Sequence, residues 1–127
     1  NPVFYVQYCH ARIHSIIAFA EEKGFKIDKN PDKEVFERLT EKDEVGIIRH
    51  LGSFEEVIEK SAIEMEPHRV AFYLQELAGL FHSYYNRNRV VTDDPVLTQG
   101  RLILCSTVAK VTKRGLGILG VTAPEKM

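Results

Sequence analysis

Two groups of aromatic and cationic side chains in this sequence have the types and spacing to hold an unpaired nucleic-acid base. Tyr5, Tyr8 and Arg12 stand three and four residues apart, so in a helix they share one face, with Cys9 one turn beyond Tyr5. Further along, Tyr84 and Tyr85 are followed by Asn86, Arg87, Asn88 and Arg89. Tyrosine rings give stacking platforms to splayed-out bases, polar side chains reach base edges, and arginines hold phosphates. These residues also have a plainer use, because tyrosines near helix ends often lie in the core with only the hydroxyl in water. The side chains alone leave both uses open.

Other chemistry has thinner support. His10 and His14 have the four-residue step of a helical metal pair, but Ala11 rather than Glu follows the first, and no neighbouring acid completes a ligand set. The two cysteines, Cys9 and Cys105, are too few for a disulfide framework and lack the spacing of a zinc site; both read as buried thiols. No nucleophile sits in a glycine elbow and no carboxylate pair stands out. The phosphate-binding loop and the dinucleotide fingerprint are absent. These 127 residues are expected to have no catalytic site and no metal or cofactor of their own.

The elements that must position the aromatics are helical. Val6, Cys9, Ile13, Ile16, Ile17 and Ala20 recur at helical steps, with Pro2 in the first turn, and predict a helix that ends near Gly24. A loop over 25–33 leads to a short helical piece over 34–39. Thr40 is the expected cap of a helix over 41–50, and Ser53 with Glu56 forms a capping box for a helix over 54–65 whose core residues are Val57, Ile58, Ala62, Ile63 and Met65. Val70, Leu74, Leu77, Phe81, Tyr84 and Asn88 predict the longest helix, from His68 to near Val91. Thr92, Asp93, Asp94 and Pro95 start another that runs to about Arg114, followed by a glycine-broken apolar stretch over 115–121 that packs as a last turn or an extended strap. No two-residue alternation appears. An all-α bundle of about five helices, forming one domain over 1–127, is the expectation.

The size suits one core, and 44% hydrophobic residues is ordinary for a globular chain. No run approaches the length of a membrane span, and the start lacks the pattern of a signal peptide, which points to a cytoplasmic protein. Because the chain opens on Asn1 and enters a helix at once, it reads as a fragment cut at a domain border. Net charge is −1, but unevenly spread: residues 21–66 hold 8 basic and 14 acidic side chains, residues 68–114 hold 7 and 3. The second half is thus the one suited to face a polyanion.

Three passages carry a family resemblance. They are the opening Asn1-Pro2-Val3-Phe4-Tyr5-Val6-Gln7-Tyr8-Cys9-His10-Ala11-Arg12-Ile13, the middle Glu66-Pro67-His68-Arg69, Tyr73-Leu74-Gln75-Glu76-Leu77-Ala78 and Phe81-His82-Ser83-Tyr84-Tyr85-Asn86, and the ending from Gly115 to Met127. In their order and spacing they resemble the carboxy-terminal anticodon-binding (DALR-type) domain of arginyl-tRNA synthetases, which are class I enzymes. The resemblance implies a helical domain that grips the anticodon stem-loop of tRNA(Arg), with no DNA or membrane partner. A separate catalytic domain of the same chain, entered through the helix within residues 1–22, would join arginine to tRNA with ATP and Mg2+. It also implies an anticodon-loop surface made of Tyr5, Cys9 (where alanine is usual) and the terminal Met127, with Tyr85 and neighbouring Tyr84 at the end of the long helix. Arg12 matches a family arginine, and Arg89 joins the set as a cation beside Tyr85. Two readings compete with this one: a helical protein-interaction module without tRNA specificity, and a metalloenzyme built on His10 and His14.

Overall fold

The computed structural model describes residues 2–127; Asn1, the first residue of the opening motif, lies outside them. Among the described residues there are six helices and no strand: α1 (Pro2–Glu22), α2 (Lys33–Glu37), α3 (Lys42–Gly52), α4 (Phe54–Ile63), α5 (His68–Arg87) and α6 (Pro95–Ile118). Five are ten residues or longer, so the expected all-α bundle is what forms. The centre is α5, which packs on α1, α3, α4 and α6, while α1 also lies against α6. Val6, Cys9, Ile13, Leu74, Leu77, Phe81, Leu102, Cys105 and Val108 join in one core.

Sequence chemistry explains most ends. Asp94 caps α6: its Oδ1 accepts the N–H groups of Val96 at 3.0 Å and Leu97 at 3.3 Å, with Pro95 in the first turn, where its missing N–H costs nothing. Arg38 pairs with the same carboxylate, tying α2 to the α6 start. Gly24 and Gly120, with φ of +90° and +74°, end α1 and α6 in the same way. In each, the next residue donates back across the turn, Phe25 to the Ala20 carbonyl and Val121 to that of Leu116, both at 2.9 Å.

α4 closes with the same motif on a residue that resists it. Glu66 N–H donates to Ser61 O at 2.9 Å and Met65 N–H to Ala62 O at 3.3 Å, which forces Met65 to φ +55°. A side chain in that region costs about 1–2 kcal/mol, partly offset by the greater unfolded-state freedom of glycine. Met65→Gly is therefore expected to stabilise the domain by about 0.5–1 kcal/mol and raise its thermal midpoint by about 2–4 °C, measured by circular dichroism.

Several boundary and core expectations are corrected. The residue before α3 is Glu41 rather than Thr40, and its N–H is held by the Glu44 side chain at 3.0 Å. Ser53 makes no capping box; its hydroxyl turns back to His50 O at 2.8 Å and closes α3. Ala62, Ile63 and Met65, expected inside, are all exposed, the last two at 74% and 86%, because α4 ends at Ile63 and its last turn faces outward. α5 stops at Arg87, not near Val91: Asn88 is extended, and its side-chain amide donates to Tyr84 O at 3.0 Å. α6, in contrast, continues through its glycines to Ile118. Gly115 is required there, since a Cβ would lie 2.7 Å from Leu74 Cδ2 on α5.

Candidate nucleic-acid interface

The first four turns of α1 run alongside the second half of α5, and the seam between them carries a continuous strip of rings and cations. At one end the imidazole of His82 lies against Tyr5, with ring centroids 5.1 Å apart, and against Tyr8, 5.7 Å apart and nearly parallel. Both tyrosines are exposed, at 42% and 46%. Arg12 comes next. Its guanidinium sits 4.8 Å over the Tyr85 ring and 5.9 Å from that of Tyr8, while Nη1 meets His82 Nδ1 at 3.3 Å. Tyr85 is backed by Phe81, a parallel ring 6.0 Å away. Beyond Tyr85 the strip opens into a cleft of about 760 Å³ lined by Phe19, Lys23, Asn88, Arg89 and the loop up to Asp93.

The strip follows from helical spacing. Tyr5, Tyr8, Arg12 and Phe19 fall on one face of α1, and His82, Tyr85 and Arg89 follow steps of three and four along α5 and its exit. The loop that presents Arg89 is anchored from the interior: Arg101 Nη1 donates to Arg89 O at 2.7 Å. Arg101 Nε in turn donates to Glu44 at 2.9 Å, a carboxylate with no exposed surface that also accepts the Tyr84 hydroxyl at 2.7 Å. A buried triad of residues from three helices thus fixes the end of α5 beneath the strip.

The structure brings four of the seven expected site residues together: Tyr5, Arg12, Tyr85 and Arg89. Tyr84 is corrected to a core residue. Its ring has no exposed surface, and burial together with the Glu44 bond pushes its phenol well above the ordinary tyrosine range. Cys9 is likewise enclosed. Burial pushes its thiol up to about 12, as it does for Cys105, so the expectation of two buried thiols stands while a direct base contact by Cys9 does not.

Met127 ends a strap. The chain after α6 runs along α1, with Gln7 Nε2 donating to Thr122 O at 2.9 Å and His10 Nδ1 to Pro124 O at 2.8 Å. Glu125 and Lys126 then meet His14, Ser15, Ala18 and Glu21. At 100° and 1.5 Å per residue, those residues centre roughly 130° around α1 from Tyr5 and Tyr8, and the ones meeting Glu125 and Lys126 begin about 13 Å along the helix from Tyr5. Met127, at the end of this strap, is exposed. His10, held by the strap, is part of its anchor, and among the described residues no group of three or more potential metal ligands forms.

Sequence reasoning left His82, Phe19 and Lys23 out of the site. A signal existed for the first: His82 precedes Tyr85 by three and Arg89 by seven residues, the spacing of one helical face.

Fold and strip together define an all-helical domain with a groove in which aromatic rings lie beside cations. The chain belongs to the DALR anticodon binding domain family, whose model matches residues 6–127. It is 53% identical over all 127 residues to the arginine–tRNA ligase of Geobacter metallireducens and 54% identical to that of Geotalea uraniireducens. In each case it spans 22% of the relative's length. Among solved structures, Thermus thermophilus arginyl-tRNA synthetase superposes with a TM-score of 0.81 at 34% identity, covering 97% of this chain and 21% of that one.

Proposed function

We propose that this domain recognises the anticodon loop of tRNA(Arg) as part of an arginine–tRNA ligase, with the α1/α5 strip as the surface that receives unpaired bases. In that reading the ATP- and Mg2+-dependent joining of arginine to tRNA belongs to a catalytic domain on the same chain. α1, with the exposed Phe4 in its first turn, is the connection to that domain, and the cytoplasm is where the protein works. No helix among the described residues is long and apolar enough to cross a membrane.

The observation that carries the proposal is the continuity of Tyr5, Tyr8, Arg12 and Tyr85 along one groove, with Lys23 and Arg89 at its end. Stacking on an exposed ring is worth about 1–3 kcal/mol per base and serves any base, and the cations follow the phosphates. The fold adds precision, since every ring is mounted on a helix packed into the core.

An amide-NMR titration at low salt with an arginine anticodon stem-loop, beside one whose central anticodon base is changed, tests it. Saturable shifts are expected at Tyr5, Tyr8, Tyr85 and Arg89, weaker with the altered loop. Equal weak shifts with both loops would reduce the contact to charge attraction, and shifts confined to the acidic α3 and α4 would assign the domain to a different kind of partner.

A further inference from the structure

One polar atom in the strip is unaccounted for. Because a guanidinium has only donors, the contact between Arg12 Nη1 and His82 Nδ1 makes Nδ1 the acceptor and leaves the ring proton on Nε2. Burial first, and the charge of Arg12 second, hold His82 below the ordinary histidine range, which favours that neutral ring. Its Nε2 is buried and has no hydrogen-bond partner among the described residues. Native interiors satisfy nearly all such donors, and an orphan is costly enough to need a reason. This one does not lie deep in the core: the rings packed on its imidazole, Tyr5 and Tyr8, are both about half exposed.

We infer that His82 is a base-reading residue, whose Nε2–H donates to an acceptor atom at the edge of one unpaired anticodon-loop base when the half-exposed ring of Tyr5 or Tyr8 swings aside and uncovers that edge of the imidazole. The inference rests on the proposed role of the strip in binding that loop. Phe81 and Tyr85 fix the helix turn from which His82 projects, and Arg12 fixes its tautomer, so the donor is set before the ligand arrives. His82 and Arg12 both present donors. A base offering a ring nitrogen or carbonyl oxygen is accepted there, whereas one offering an amino group sets donor against donor. Stacking on the tyrosines is indifferent to base identity; this N–H supplies the discrimination that stacking lacks.

The test uses the full-length protein, binding of an arginine anticodon stem-loop, and two variants. His82→Phe keeps a flat ring without the donor and is expected to weaken binding about ten-fold, the scale of one lost hydrogen bond, without lowering the thermal midpoint. His82→Gln, whose amide reaches toward the Nε2 position, recovers most of the affinity. Loop RNAs stripped of one base acceptor at a time examine the same bond with unaltered protein: one position should weaken wild type about ten-fold and leave His82→Phe unaffected. Wild type that prefers the arginine loop, with His82→Phe binding equally well or no acceptor position interacting with it, overturns the role of His82 alone. Wild type that holds arginine and scrambled loops equally overturns the strip's function as well.

Discussion

Glu44→Ala should cost the domain about 3–5 kcal/mol and lower its thermal midpoint by on the order of 10–20 °C, because it strands a buried guanidinium. The Glu44 carboxylate has no exposed surface and Arg101 is only 8% exposed, so water cannot replace the lost partner. The Arg101 Nε bond at 2.9 Å and the Tyr84 hydroxyl bond at 2.7 Å disappear together. With stabilities of small domains near 5–15 kcal/mol, this is a large fraction of the whole. A double variant, Glu44→Leu with Arg101→Met, should be less damaging than Glu44→Ala, since no charge is left unpaired; it still frees the Arg89 carbonyl, so recovery is partial. Urea titrations of the single and double variants measure both effects. A Glu44→Ala protein as stable as the parent would mean that the carboxylate contributes no net attraction to Arg101.

That triad also marks where sequence stops being informative. Glu44 sits in the acidic run over 21–66, which reads as a solvated face, and nothing local distinguishes it from Glu41. Its partners are 40 and 57 residues away, and only the packing of α3 on α5 and α6 brings them within reach. Helix existence and type were legible, because apolar steps of three and four, Asp94 before Pro95, and Gly24 are local signals. Ends set by side chains turning back, such as Ser53 and Asn88, were not. The same amide or hydroxyl can start a helix, end one or face water.

The site was half legible for a related reason. Neighbouring helical residues point about 100° apart, so Tyr84 and Tyr85 cannot both face the groove. The phase that assigns them was in the sequence: Tyr84 continues the apolar row of Val70, Leu74, Leu77 and Phe81, as Cys9 continues Val6. The family resemblance drew both toward the RNA, and burial decides against them. The course of the strap that ends in Met127 had no sequence signal, since it depends on the side of α1 that the strap follows.

Tyr85 is therefore the position where the two tyrosines part experimentally. Tyr85→Ala removes a stacking ring and also the platform that carries the Arg12 guanidinium at 4.8 Å. Affinity for an arginine anticodon stem-loop is expected to fall about 5- to 150-fold, the range of one aromatic–base stack, with helicity retained. Tyr85→Phe keeps the ring and should bind nearly as well as wild type. Tyr84→Phe should do the converse, losing about 1.5–3 kcal/mol of stability with its bond to a carboxylate while leaving the affinity of the folded protein unchanged. Salt separates Tyr85 from Arg12. Stacking releases no counterions, so Tyr85→Ala should keep the wild-type dependence of log affinity on log salt, whereas Arg12→Gln should flatten it by about 0.7 if the guanidinium holds one phosphate of a single-stranded loop. If Tyr85→Ala flattens the salt slope as Arg12→Gln does, its main service is to aim the arginine. If its affinity loss instead follows a loss of helical signal, Tyr85 belongs with Tyr84 in the core and the groove reads RNA through its other rings.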